Sequence, residues 1–298
     1  MNPPVESRGM PGILYVMGTA RSGSTILEIL LSKGAGCFGA GEITSLIQDG
    51  FVENKDCSCG NRCKNCPVWG KVLGAIGNVD FHEWAAIQKK MDWHDGFLRQ
   101  LSGMTSGQDE PLYRLRNQDL LRHVGEVTGA SVVVDSSKYA GRALALKRMG
   151  DVDLKVICLT RSPEGLMTSF RKANRDEQRP KSPLAALLYY VITLFSLRTA
   201  VMLLGKENVF MLRYEDMVSD PRGTLADIVE WSGIDFSESM RMLEAGQAFE
   251  VGHVVTGNRL RKQEKVQFRG SDERRTLGTL QEKMAVAMMN GWKWILRF

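Results

Sequence analysis

The chain has 298 residues, 43% hydrophobic and 24% charged, a globular balance that excludes a mostly disordered chain, a collagen and a coiled coil. At this length a compact chain buries roughly 75% of its unfolded surface, so the core needs no covalent staples. Lys plus Arg total 39 against 34 Asp plus Glu, and the formal charge of +5 suits an anionic ligand without demanding nucleic acid.

Residues 1–11 carry two successive prolines, a glutamate and an arginine. The apolar run at 13–17 is too short for the core of a secretory signal, so a cytoplasmic location is the expectation. That run (ILYVM) reads as a strand ending at Gly18, with a helix at 24–32 after it. Cys37 and Phe38 form a short run leading through Gly39, Ala40 and Gly41 to Glu42. A strand at 131–134 precedes a helix at 140–149, and a strand at 154–159 precedes a helix that Pro163 opens. A strand at 209–212 precedes a helix at 221–231. Strand-then-helix repetition with continuously apolar strands implies the α/β class, a parallel central sheet flanked by helices. No repeat or low-complexity linker divides the chain, which reads as a single domain over 11–298 with a cysteine-rich loop at about 55–70. Ligands of such sheets bind at the carboxyl ends of the strands.

After the first strand come Gly18-Thr19-Ala20-Arg21-Ser22-Gly23-Ser24-Thr25, the spacing of a G-x-x-x-x-G-K-[ST] phosphate loop with Ser24 in place of the lysine. Backbone N–H groups and a helix N-terminus there cradle an anion. Arg21 supplies the cation, and a planar guanidinium holds two oxyanion oxygens at once. After the third strand, Asp135, Ser136, Ser137 and Lys138 read either as a helix N-cap or as ligands, Lys138 reaching the same anion. Arg161 ends the next strand and Ser169 follows eight residues on. Across a helix the two converge only through an irregular segment or a bridging group. Glu42, after a glycine turn and before a helical stretch, reads as a general base or as a first-turn acid on the helix dipole.

The stretch 184–197 is nearly apolar and Arg198 interrupts its continuation to 204. A span needs about 20 apolar residues, so a buried helix is expected, with membrane contact through 184–204 as the alternative. Cys57, Cys59, Cys63 and Cys66 cluster in a loop rich in Gly, Asn and Pro. Four thiolates bind zinc tetrahedrally; disulfides are the other reading, disfavoured in a reducing compartment.

The segment GTARSGSTILEILL, with CLTRSPEGLMTSFRK about 140 residues later, resembles the sulfotransferases that use 3′-phosphoadenosine 5′-phosphosulfate (PAPS). The resemblance implies a P-loop-like sulfotransferase architecture and a product nucleotide, 3′-phosphoadenosine 5′-phosphate (PAP). It assigns the loop, Thr19 through Thr25 with Arg21, Ser22, Gly23, Ser24 and Thr25 foremost, to the 5′-phosphosulfate. It assigns Arg161 and Ser169 to the 3′-phosphate. Arg213-Tyr214-Glu215-Asp216-Met217 with Asp220-Pro221 is similar to the stretch whose tyrosine, here Tyr214, lies near the nucleotide. His253 to Arg261 is similar to a bacterial H-x-x-x-G-N-x-x-R segment that closes over the cofactor, implicating Asn258 and Arg261, although Arg259 replaces the usual proline. Some members carry a catalytic Glu at the place of Glu42 and others a His. Of His82, His94, His123 and His253, only His253 lies in a motif, so it is the second candidate. Some bacterial members also share the pattern of Cys59-Gly60 and Cys66-Pro67-Val68-Trp69.

The expected function is sulfuryl transfer from PAPS to a hydroxyl or amine, with Glu42 as base and Arg21 as electrostatic stabiliser. Competing readings are a P-loop kinase, which predicts a loop lysine, and a non-catalytic nucleic-acid-binding module with a zinc knuckle. The latter predicts a basic stripe with interleaved aromatics. Residues 259–275 are basic but include acids and a single aromatic, so no nucleic acid is expected. The expected acceptor is a small molecule, lipid or carbohydrate. Selectivity is expected from 79–104, with Trp84 and Trp93, and from 184–204.

Overall fold

The computed structural model describes residues 9–102, 107, 109–171, 180–257, 259–268 and 277–295. Five strands, β1 (Gly12–Gly18), β2 (Cys37–Gly41), β3 (Val132–Lys138), β4 (Leu154–Thr160) and β5 (Val209–Arg213), form one sheet in the order β2-β3-β1-β4-β5. Every pair is parallel. Helices cover both faces, and the central strands begin as continuous apolar runs because both of their faces are buried there. In β1, Ile13, Tyr15 and Met17 face one core while Leu14 and Val16 face the other. Each such fully buried side chain contributes about 1.5–3 kcal/mol.

The first core packs against α2 (Ile43–Leu46), α3 (Trp69–Ile76), α4 (Phe81–Asp92), α5 (His94–Ser102), α6 (Asp109–Thr128), α7 (Ala140–Met149) and part of α9 (Pro183–Leu204). The second lies under α1 (Ser24–Leu31), α10 (Tyr214–Ser219), α11 (Pro221–Ser232), α12 (Ser237–Glu244) and a hairpin of β6 (Ala248–Glu250) with β7 (Lys265–Gln267). A third, smaller core joins α8 (Pro163–Arg171), α9 and α13 (Leu280–Ile295).

β3 runs four residues beyond its apolar half, where the sequence suggested a helix N-cap or ligands. The cap of α7 is Tyr139 instead. The polar tail stays in the sheet because each side chain finds a partner. Asp135 accepts Arg142 Nε at 2.6 Å, Ser136 donates to Glu28 at 2.6 Å, Ser137 Oγ takes the Thr44 N–H at 3.0 Å, and Lys138 pairs with Glu42. Arg142 is 1% exposed and also reaches Asp92 (3.0 Å), Tyr113 (3.1 Å) and Asn117 (3.3 Å). A buried charge persists only when paired and hydrogen-bonded in this way.

Pro183 in its first turn, the Ser182 cap and Gly205 at its end delimit α9. Among the described residues it is the one helix long and apolar enough to cross a membrane, and half of its apolar window is buried. Leu187, Tyr190, Leu194 and Leu197 face inward, while Leu184, Leu188, Ile192, Phe195 and Met202 are exposed. Burial and exposure thus divide the helix by face.

Because the strands are parallel, Gly18, Gly41, Lys138, Thr160 and Arg213 end along one edge. The chain leaves β1 for β2 and β3 on one side, then crosses back over β1 to β4. The carboxyl end of β1 therefore lies at the reversal, where open α/β sheets bind ligands.

Candidate functional site

Gly18 ends β1 against β4; a Cβ there would lie 2.1 Å from the Leu159 carbonyl oxygen. The loop closes on itself through Ser22 Oγ donating to the Thr19 carbonyl at 2.6 Å. Arg21 holds φ at 65° and Gly23 at 91°. Gly23 is obligatory twice over, since a Cβ would also sit 2.5 Å from the Tyr214 ring. No side chain caps α1, so its first-turn N–H groups face the loop. Thr19 Oγ1 is buried with no hydrogen-bond partner among the described residues.

Arg21 itself joins the two motifs that lie about 140 residues apart. Its Nε donates to Ser169 Oγ at 3.1 Å, and its carbonyl accepts Arg161 Nη1 at 2.8 Å. The bridge that the spacing of Arg161 and Ser169 requires is therefore the loop arginine. Arg161 stacks on the Tyr214 ring, 4.3 Å from guanidinium carbon to centroid. The next residue, Ser162, donates its N–H to Glu215 at 3.1 Å. The loop, the start of α8 and the start of α10 thus meet at one point.

On the other side of the loop, Glu42 caps α2 by position but makes no side-chain cap hydrogen bond. Its carboxylate pairs with Lys138, which holds φ at 75°. Among the described residues, Arg21, Asn54 and Lys138 are the non-glycine residues at positive φ. Two of the three flank this site, and such conformations cost about 1–3 kcal/mol each and gather at functional centres. A Cβ on Gly257 would lie 3.6 Å from Glu42 Oε1 and 3.9 Å from Thr25 Oγ1, so that glycine stands between carboxylate and loop.

Lys138 opens onto a cavity of about 210 Å³ lined also by Ala20, Trp93, His94, Tyr139 and, from α9, Tyr189 and Thr193. Tyr189 takes the Ala20 N–H on its hydroxyl at 2.7 Å, tying the cavity wall to the loop. Trp93 and α9 line this cavity, whereas Trp84 is 1% exposed in the core and hydrogen-bonds Gln88. His94 and Tyr189 escaped motif reasoning. The one available signal was their position inside the two stretches marked for acceptor selectivity.

His253 does not reach the loop. It sits in the cysteine cluster, its Nδ1 3.3 Å from Cys66 Sγ. The Cys57, Cys59 and Cys66 sulfurs and a His253 ring nitrogen all lie within 4.8 Å of one another. Cys63 is not in this group; it is 0% exposed and packs in the core. The Cys66 thiol is pushed well below its ordinary value, first by a hydrogen bond from Cys57 and then by those from His253 and the Trp69 and Val68 amides, against its burial. Arg261, expected at the nucleotide, instead donates to the Asp56 carbonyl at 3.1 Å in the same loop. Asn258 lies outside the described residues.

A family model described as the sulfotransferase family matches residues 12–238. No curated protein matches the sequence. The sulfotransferase domain from the curacin biosynthetic pathway is 18% identical, with 95% of this chain and 98% of that one covered, and shares the fold at a TM-score of 0.52. The sulfotransferase domain of the Synechococcus PCC 7002 olefin synthase is 17% identical over 97% and 98% of the two chains, with a TM-score of 0.46. A mouse sulfotransferase complexed with PAP is 13% identical over 98% and 87%, with a TM-score of 0.47.

Proposed function

The chain belongs to the sulfotransferase family, and from that premise we propose that its donor is PAPS and its acceptor an alcohol or amine held in the 210 Å³ cavity. The observation that carries this reading is the meeting of the phosphate loop with Arg161, Ser169 and Tyr214 beside the Glu42–Lys138 pair. The residues fit a nucleotide with two anionic groups. Thr19 keeps a buried hydroxyl without a partner among the described residues, α1 presents an uncapped N-terminus, and Arg21 and Arg161 are cations. The missing loop lysine removes the group that an NTPase uses on its β/γ-phosphates.

In this reading residues 19–25 hold the 5′-phosphosulfate and Arg161 with Ser169 the 3′-phosphate. PAPS supplies a sulfuryl group whose bond to the 5′-phosphate breaks as the acceptor oxygen or nitrogen bonds to sulfur, leaving the electron pair on the phosphate. Glu42 takes the acceptor's proton. Arg21 and Lys138 stabilise the charge that develops on the departing phosphate. Arg21 keeps its proton, so it acts by electrostatics alone.

A second assignment gives the base to His94, favoured by its place in the cavity wall. Incubation with PAPS and a panel of alcohols and amines, followed by chromatography of PAP, tests both. Glu42→Gln is expected to lower turnover about 10²–10⁴-fold, the usual contribution of a general base, while His94→Gln changes it far less. The reverse order transfers the role to His94. Absence of PAP formation with every acceptor counts against the donor.

A further inference from the structure

We propose that Cys57, Cys59, Cys66 and His253 hold one zinc ion that ties the cysteine-rich loop to the segment lying over Glu42. Three observations carry this. The first is the donor set. Three sulfurs and one imidazole nitrogen lie within 4.8 Å of one another, with Cys66 Sγ and His253 Nδ1 3.3 Å apart. Zinc bonds of about 2.3 Å to sulfur and 2.0–2.1 Å to nitrogen place tetrahedral ligand atoms roughly 3.5–3.8 Å apart, so a small adjustment seats the ion. Thiolate and imidazole ligands select zinc over hard oxygen-seeking cations, and four protein ligands make a closed, structural site.

The second is the surrounding shell. The Asn61 side-chain amide approaches Cys59 Sγ at 3.7 Å, and the Val68 and Trp69 amides point at Cys66 Sγ. Such donors orient thiolates around a metal. Cys63, the fourth cysteine of the cluster in sequence, is not one of the four grouped donors, and the histidine completes the set.

The third is what the site joins. Ser58 Oγ bonds the Gly252 carbonyl (2.7 Å) and the Val254 N–H (2.8 Å), and Trp69 Nε1 donates to the His253 carbonyl at 2.6 Å. Two residues on from Val254, Thr256 donates to the Glu42 carbonyl at 3.2 Å. The ion would therefore fix, through one short segment, the backbone beside the carboxylate. With four ligands from the protein, this zinc is structural.

The test is metal analysis of the full chain purified under reducing conditions without chelator, read independently of any donor or acceptor. About one zinc per chain is expected, with X-ray absorption fitting three sulfurs and one nitrogen. Cys59→Ser and His253→Ala are expected to lose the metal, and Cys63→Ala to keep it. If the ligand variants fail to fold, cobalt(II) exchanged into the wild-type chain is expected to give tetrahedral ligand-field bands and thiolate charge transfer. A metal-free chain, a Cys57–Cys66 disulfide found by peptide mapping, or metal lost from Cys63→Ala but kept in His253→Ala would overturn the proposal.

Discussion

Arg21 within the phosphate loop and Lys138 at the end of β3 adopt left-handed backbone, and Gly23 completes that loop with a conformation and a contact that a Cβ forbids. Gly23→Ala is expected to destabilise the chain by about 1–3 kcal/mol in urea titration and to weaken PAP binding, since Tyr214 must move. A second test concerns Glu28 of α1, which is 3% exposed. Burial raises its carboxyl from the ordinary 4.5 to about 7, against hydrogen bonds from Ser136 and Gly41 that pull it down. The folded state then holds this proton more tightly than the unfolded chain. The resulting stability is complete below pH 4.5 and is lost as pH rises to about 7, a change of about 3 kcal/mol. Relative to Glu28→Gln, the wild-type urea midpoint is expected to fall between pH 5 and pH 8; a rise would contradict the assignment. At this scale the loop was legible because its spacing is local. The Glu42–Lys138 pair and the place of His253 were not, because their partners stand 96 and 187 residues away.

Among the elements, α9 serves three purposes, and its sequence announced hydrophobicity alone. One side fills the core, one lines the cavity through Tyr189 and Thr193, and one is exposed. Thr193→Phe is expected to fill part of the cavity and raise acceptor KM or abolish turnover, while PAP still raises the melting temperature. Loss of the PAP response instead would place the nucleotide where the acceptor is assigned. The strands were readable as apolar runs, but β3 outran its run. Its polar tail stays in the sheet, through a register shift against β1 and β2, because Arg142, Glu28, Thr44 and Glu42 satisfy it, and those partners come from three separate segments. The helices of 69–128 carry no motif; the stretch 79–104 was marked for selectivity, and of its two tryptophans Trp93 lines the cavity while Trp84 is buried in the core.

For the whole molecule, the order β2-β3-β1-β4-β5 brings the ends of β1, β3 and β4 side by side, so residues far apart in sequence meet at one edge of the sheet. The strand–helix alternation foretold a parallel sheet, whereas strand order is set by long-range packing that no local pattern records. The proposed donor requires this edge to bind a nucleotide carrying a 3′-phosphate without a metal. The most direct measurement is a thermal-shift titration of the full chain, without added metal ions, comparing PAP, adenosine 5′-phosphate, and ATP with magnesium. A ligand specific for the native state adds about 2.7 kcal/mol at a hundredfold excess over its Kd. The expected result is a saturable rise with PAP, a much weaker one with adenosine 5′-phosphate, and none that depends on magnesium. Stabilisation by ATP with magnesium and none by PAP would contradict it.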